Sequence, residues 1–130
     1  MKQAVCALIF TENQKILGVS RKDNPTAFGL IGGKVDEGET PEEALIRETK
    51  EETGLNITKY EKVFERTDGN FKCFTYLCEV EGDVQTTEKG VVKEVGWPEL
   101  LAGPFGEYNR QLLDHMRNQL TENWKNKNNG

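Results

Sequence analysis

Apolar positions along this chain fall into short dense runs divided by polar breaks, and the spacing within the runs changes from one region to the next. Residues 3–10 (QAVCALIF) and 15–21 (KILGVSR) are apolar and β-capable, and the TENQ between them suits a hairpin loop. RKDNPTA reads as a loop rich in turn formers, followed by FGLIGG, a brief strand ending in paired glycines. ITKYEKVFER from Ile57 and FKCFTYLCEV from Phe71 flank TDGN, where Asp68-Gly69 marks a tight hairpin. A polar loop follows over residues 81–90, and VVKEVGW from Val91 is a further strand.

Elsewhere the period lengthens to that of a helix. Thr40-Pro41-Glu42-Glu43 combines an N-cap, a proline in the first helical position and a glutamate placed to complete a capping box, while Gly54 supplies a stop. A helix over residues 41–53 follows. The prolines and glycines of residues 97–106 permit at most a short helical turn. From Glu107 onward Tyr108, Leu112, Met116 and Leu120, with Leu113 and Trp124 beside them, predict a terminal amphipathic helix. NKNNG, residues 126–130, has nothing to bury and is predicted to fray. Strands, helix, strands and helix in that order predict one α/β domain over residues 1–125, a mixed sheet between helices.

The first helix is the unusual element. At ~100° per residue, Ala44, Glu48, Glu51 and Glu52 fall on one arc, and Leu45, Ile46, Thr49 and Thr53 turn away as the expected core face. Like charges one turn apart each cost about 0.2–0.5 kcal/mol, and acids in the last turn face the negative end of the helix dipole. Ion pairs from Arg47 and Lys50 offer one way to offset this. The loop in front offers another: Gly32-Gly33 and Gly38 permit tight turns beside the acids, and hard cations take carboxylate and carbonyl oxygens of that kind.

Composition narrows the field. A net charge of -5 argues against a nucleic-acid polymer as partner, since that surface needs a basic footprint. Cys6, Cys73 and Cys78 make no CxxC pair and no even framework, which fits small buried hydrophobes in a reducing, cytoplasmic setting. The opening MKQAVCALIF lacks a following small-residue cleavage site, and no run reaches the length of a membrane span. A monomer or a homodimer is compatible with the apolar edges, and no histidine cluster accompanies the lone His115.

Gly33, Glu39, Arg47-Glu48, Glu51-Glu52 and Gly54-Leu55, at these spacings, resemble the Nudix box of Nudix hydrolases. Thr49 departs from the aliphatic residue usual there, a change in packing rather than chemistry. The box covers about a fifth of the chain, and the surrounding elements resemble the Nudix α/β/α sandwich.

The resemblance implies hydrolysis of a nucleoside diphosphate linked to another group. Glu48, Glu51 and Glu52 would bind Mg2+ or Mn2+ with help from the Gly33 carbonyl, and Arg47 and Glu39 would orient those ligands. Glu52 or Glu51 is the expected general base, with Glu88 as a second candidate and Glu94 as an exposed strand residue. The small size resembles MutT-like enzymes that convert a nucleoside triphosphate to monophosphate and pyrophosphate. ADP-ribose or dinucleoside polyphosphate hydrolysis is the alternative, and a non-catalytic nucleotide sensor is a reading of another class. For the substrate pocket, Arg21 and Lys22 are candidates to meet phosphate, and Phe28, Phe105, Glu107 and Tyr108 to meet the base, with core packing the competing role for Phe28.

Overall fold

The computed structural model describes residues 1–21, 23–85 and 90–129, with residues 123–129 given by backbone alone. Its strands are β1 (Lys2–Leu8), β2 (Ile16–Arg21), β3 (Asn24–Lys34), β4 (Asn56–Asp68), β5 (Phe71–Glu81) and β6 (Val91–Val95), joined in one sheet of order β4-β5-β1-β3-β2-β6. β1 and β5 run parallel and the remaining neighbours antiparallel. The helices are α1 (Pro41–Thr53), α2 (Trp97–Leu101) and α3 (Gly106–Asn129).

Alternation along the first strand shows why helices cover both faces. Val5, Ala7 and Ile9 join a buried cluster with Ala44 and Leu45 of α1, whereas Leu8 joins another with Ile16, Phe28, Val95 and Leu100 of α2. Met116 of α3 packs against the second cluster. A sheet apolar on both faces is stable only between layers, and the result is the expected α/β/α sandwich.

Two strand expectations are corrected. The turn after β1 forms, with Gln14 at φ 62° and a single Phe10–Ile16 bridge, but β1 and β2 pair no further. Both edges of β1 are already taken by β3 and β5, so β3 lies between the two. β3 itself starts at Asn24, earlier than the expected brief strand. The ladder slips from Ser20–Phe28 to Arg21–Asn24, leaving Pro25 in the slipped stretch where its missing N–H breaks no pairing.

α1 begins and ends as the sequence predicts. Thr40 Oγ1 accepts from the Glu43 N–H at 3.1 Å, Glu43 Oε1 accepts from the Thr40 N–H at 3.1 Å, and Gly54 closes the helix at φ 79°. Its buried face is different from the one expected. Ala44, Leu45, Thr49 and Thr53 are fully buried, but Glu48 and Glu52 are buried with them at 8% and 6%, and Ile46 is 45% exposed. The two acids occupy the middle of the inward arc because α1 lies over β1 and β3, where paired glycines leave room for carboxylates.

Candidate active site

The glutamates of α1 meet the sheet at the end of β3. The Gly32 N–H donates to Glu52 Oε1 at 2.9 Å. A side chain at Gly33 would put its Cβ 2.6 Å from Glu48 Cδ, so only glycine lets that carboxylate lie against the backbone. Glu51, one step round the helix, is exposed.

Arg47 ties this end together. Its Nε and Nη2 donate to the two oxygens of Glu39 at 2.8 and 2.9 Å, its Nη1 to Glu48 Oε1 at 2.8 Å and to Glu51 Oε2 at 3.4 Å, and Nη2 to the Lys34 carbonyl at 3.2 Å. Asp36 adds an ion pair at 3.3 Å. The fork geometry of a guanidinium suits this task, since one rigid group fixes the loop in front of α1 and the carboxylates on it. Hydrogen bonding from Arg47, then from the Asp36 N–H, holds the Glu39 carboxyl down at about 2.

A cleft of about 810 Å³ opens beside these residues, within the range of small-molecule sites. Gly33, Glu48, Glu52, Arg21, Phe105 and Tyr108 line it. Phe105 is 62% exposed, a large aromatic at the cleft wall. Phe28 does not line the cleft; it packs with Leu8 and Leu100 in the core on the α2 side. Glu107 also lies outside, held by Arg110 at 2.7 and 2.8 Å and by Gln111 at 3.0 Å over a separate recess of about 100 Å³. Glu94 accepts from Asn13 at 3.1 and 3.2 Å on the β6 side of the sheet and is exposed. Lys22 and Glu88 lie outside the described residues. The described residues before Glu88 reach α1, where the Gln85 N–H donates to the Thr53 carbonyl at 2.8 Å.

The cleft also gathers residues that sequence reasoning did not assign to it, among them Ser20, Cys6, Phe71, Cys73 and Asn109. Cys6 Sγ contacts Thr75 Oγ1 at 2.9 Å, and Thr75 Oγ1 contacts the Tyr108 hydroxyl at 2.7 Å, a chain linking β1, β5 and α3. Burial pushes the Cys6 thiol up to about 12 and raises Cys73 as well. Both thiols stay protonated at neutral pH and are poor nucleophiles. The register of β1 on β5, which places Cys6 beside Thr75, has no local sequence signal.

Among the described residues, no three Asp, Glu, His or Cys side chains are grouped so as to hold a metal ion by themselves. The donor chemistry nonetheless fits a hard divalent cation: carboxylate oxygens at Glu48 and Glu52 on the cleft wall, with the backbone of Gly33 packed close against the Glu48 carboxylate. Mg2+ keeps several waters and takes one or two carboxylates plus substrate phosphates, rather than a closed protein cage.

This chain belongs to the NUDIX domain family, whose model matches residues 1–116. It is 39% identical over 105 residues to the 8-oxo-dGTP diphosphatase of Haemophilus influenzae, covering 75% of this chain and 76% of that protein. It is 55% identical over 49 residues to the ADP-ribose pyrophosphatase of Methanocaldococcus jannaschii, covering 36% of this chain but 29% of the relative, and a Bacillus subtilis relative is matched over 40% of its length. Less than half of each of these two relatives is therefore spanned. A MutT structure from work on Aliivibrio salmonicida and Vibrio cholerae superposes with a TM-score of 0.74 at 25% identity, covering 91% of this chain and 98% of that one.

Proposed function

We propose that this protein is a Mg2+- or Mn2+-dependent nucleotide pyrophosphohydrolase, MutT-like in cleaving a nucleoside triphosphate to the monophosphate and pyrophosphate. The observation that carries the reading is the burial of Glu48 and Glu52 beside Gly32-Gly33 at the wall of a nucleotide-sized cleft. Taking a carboxylate out of water is costly even where Arg47 and the Gly32 N–H partner it, and a site that uses the charge gives a reason to bear that cost. The described cations lining the cleft, Arg21 and Lys34, are few for a polyphosphate, which matches a substrate neutralised mainly by metal.

Glu48, Glu51 and Glu52 would hold the metal with the Gly33 carbonyl, and Arg47 and Glu39 keep those groups in place. When bound, the metal neutralises phosphate charge and lowers the pKa of a coordinated water. Glu52, fixed by the Gly32 N–H, takes the proton of the attacking water as the water oxygen bonds to phosphorus and the anhydride P–O bond breaks. Phe105 offers a stacking plane for the base, and Tyr108 also lines the cleft. The M. jannaschii relative keeps ADP-ribose on the list of substrates to be tested. No described helix is long and apolar enough to cross a membrane.

The test is a panel of nucleoside triphosphates, including 8-oxo-dGTP, with ADP-ribose and dinucleoside polyphosphates, assayed with Mg2+ and with products identified. Glu52→Gln is expected to lower kcat by about 10²–10⁴-fold while leaving the fold intact. Absence of turnover on every member, with nucleotide still bound, would replace hydrolysis by the sensor reading.

A further inference from the structure

Ser20 ends the regular pairing of β2, where it lies opposite Phe28 on one side and Val91 on the other. It is 2% exposed, it lines the cleft, and its hydroxyl has no hydrogen-bond partner among the described residues. A buried hydroxyl without a partner loses its hydration for nothing in return, and native folds rarely keep one without a use. Two other side-chain atoms share that state, Thr49 Oγ1 and Gln111 Oε1, and neither residue lines the cleft.

Position narrows what such a hydroxyl would meet. Five residue steps along β3, about 16 Å of extended chain, lead from Phe28, the ladder partner of Ser20, to Gly33 at the acid end. With phosphate seated at Gly33 and Glu48, Ser20 stands beside the nucleoside. Next to Phe28 is Gly29, whose missing side chain leaves space for the Phe105 ring: a Cβ there would lie 3.4 Å from it. A plane for stacking, Phe105, and a residue whose hydroxyl can both donate and accept, Ser20, thus line one cleft.

We propose that Ser20 is a specificity-determining residue that reads the polar edge of the nucleobase by a hydrogen bond. The proposal rests on the nucleotide-hydrolase reading above and adds to it the point where the base is distinguished. Arg21 follows in the chain and also lines the cleft, so the β2–β3 end presents a neutral reading group followed by a charge.

The experiment compares wild type with Ser20→Ala on the best triphosphate of the panel and on its analogue without the purine 6- or pyrimidine 4-substituent, purine riboside or pyrimidin-2-one riboside 5′-triphosphate. Wild type is expected to favour the substituted base by about 3- to 10-fold in kcat/KM, and Ser20→Ala to bring that ratio close to one, chiefly by lowering kcat/KM for the substituted base. An unchanged ratio in Ser20→Ala, with a raised melting temperature, would show an ordinary buried hydroxyl and overturn the proposal while leaving the hydrolase reading intact. If wild type hydrolyses no triphosphate at all, the hydrolase reading falls first and this inference with it.

Discussion

The two ends of the cleft are built in opposite ways. The acid end comes from one continuous stretch, residues 32–54, in which Gly32, Gly33, Arg47 and the glutamates bind one another within a single loop and helix. The β2–β3 end is assembled from Ser20, Arg21, Gly29 and Phe105, brought together by strand order and by the connection between α2 and α3. One end is cross-linked by charge-assisted hydrogen bonds; the other offers a hydroxyl with no partner among the described residues and an exposed ring. Reaction chemistry demands the first kind of construction, because reacting groups must be fixed before substrate arrives. Recognition tolerates the second, because the substrate itself completes it.

Breaking the cross-linked end should have the largest effect. Arg47→Ala removes the group that joins Glu39 to Glu48, and a 10–100-fold fall in kcat/KM is expected, in line with the loss of groups that orient metal ligands, at about 10–100-fold. The same variant should lose about 1–3 kcal/mol of stability, measured by urea denaturation. Arg47→Lys should recover little of either, since one ammonium cannot span both Glu39 oxygens and Glu48. Equal activity in the alanine variant and wild type would show that the cross-links are ornamental to the reaction.

At the other end, Phe105→Ala should raise KM by about 10-fold with kcat nearly unchanged, stacking being worth about 1–3 kcal/mol per base. Steady-state kinetics on the preferred nucleotide decides this. A change in kcat alone would move Phe105 from recognition to chemistry and blur the distinction between the two ends.

The smallest effect concerns acid. Glu39 is held from its ordinary 4.5 down to about 2 in the fold. Its folded value lies below its unfolded one, so its contribution to stability is complete above about pH 4.5 and declines as pH falls toward 2. Chemical denaturation at pH 5 and pH 2.5 should show wild type losing more stability than Glu39→Gln over that interval. Equal losses would place the acid sensitivity in other carboxylates.

How far each part could be read from sequence follows from how local its cause is. Thr40, Glu43 and Gly54 act through hydrogen bonds and dihedrals within a few residues, so the limits of α1 were legible. The burial of Glu48 and Glu52 was not, because periodicity counts an acid as solvent-facing and cannot see space made by glycines on another strand. TENQ encodes a turn but says nothing of which strand will lie next to β1. Phe28 and Phe105 are the same residue type near similar glycines and prolines; ladder position buries the one with Leu100, and a connecting segment exposes the other. Ser20 carries no motif at all, and only the folded chain shows that its hydroxyl lacks a partner among the described residues.

The parallel contact between β1 and β5 has a kinetic consequence. The neighbours of β1 on either side are the strands that begin at Asn24 and Phe71. Its parallel register sets Lys2 against Phe71, and contacts of such long sequence separation form slowly. Folding should pass through a stage in which the β4–β5 hairpin is present and residues 2–8 still exchange their amide protons freely, a pattern that pulse-labelling would reveal.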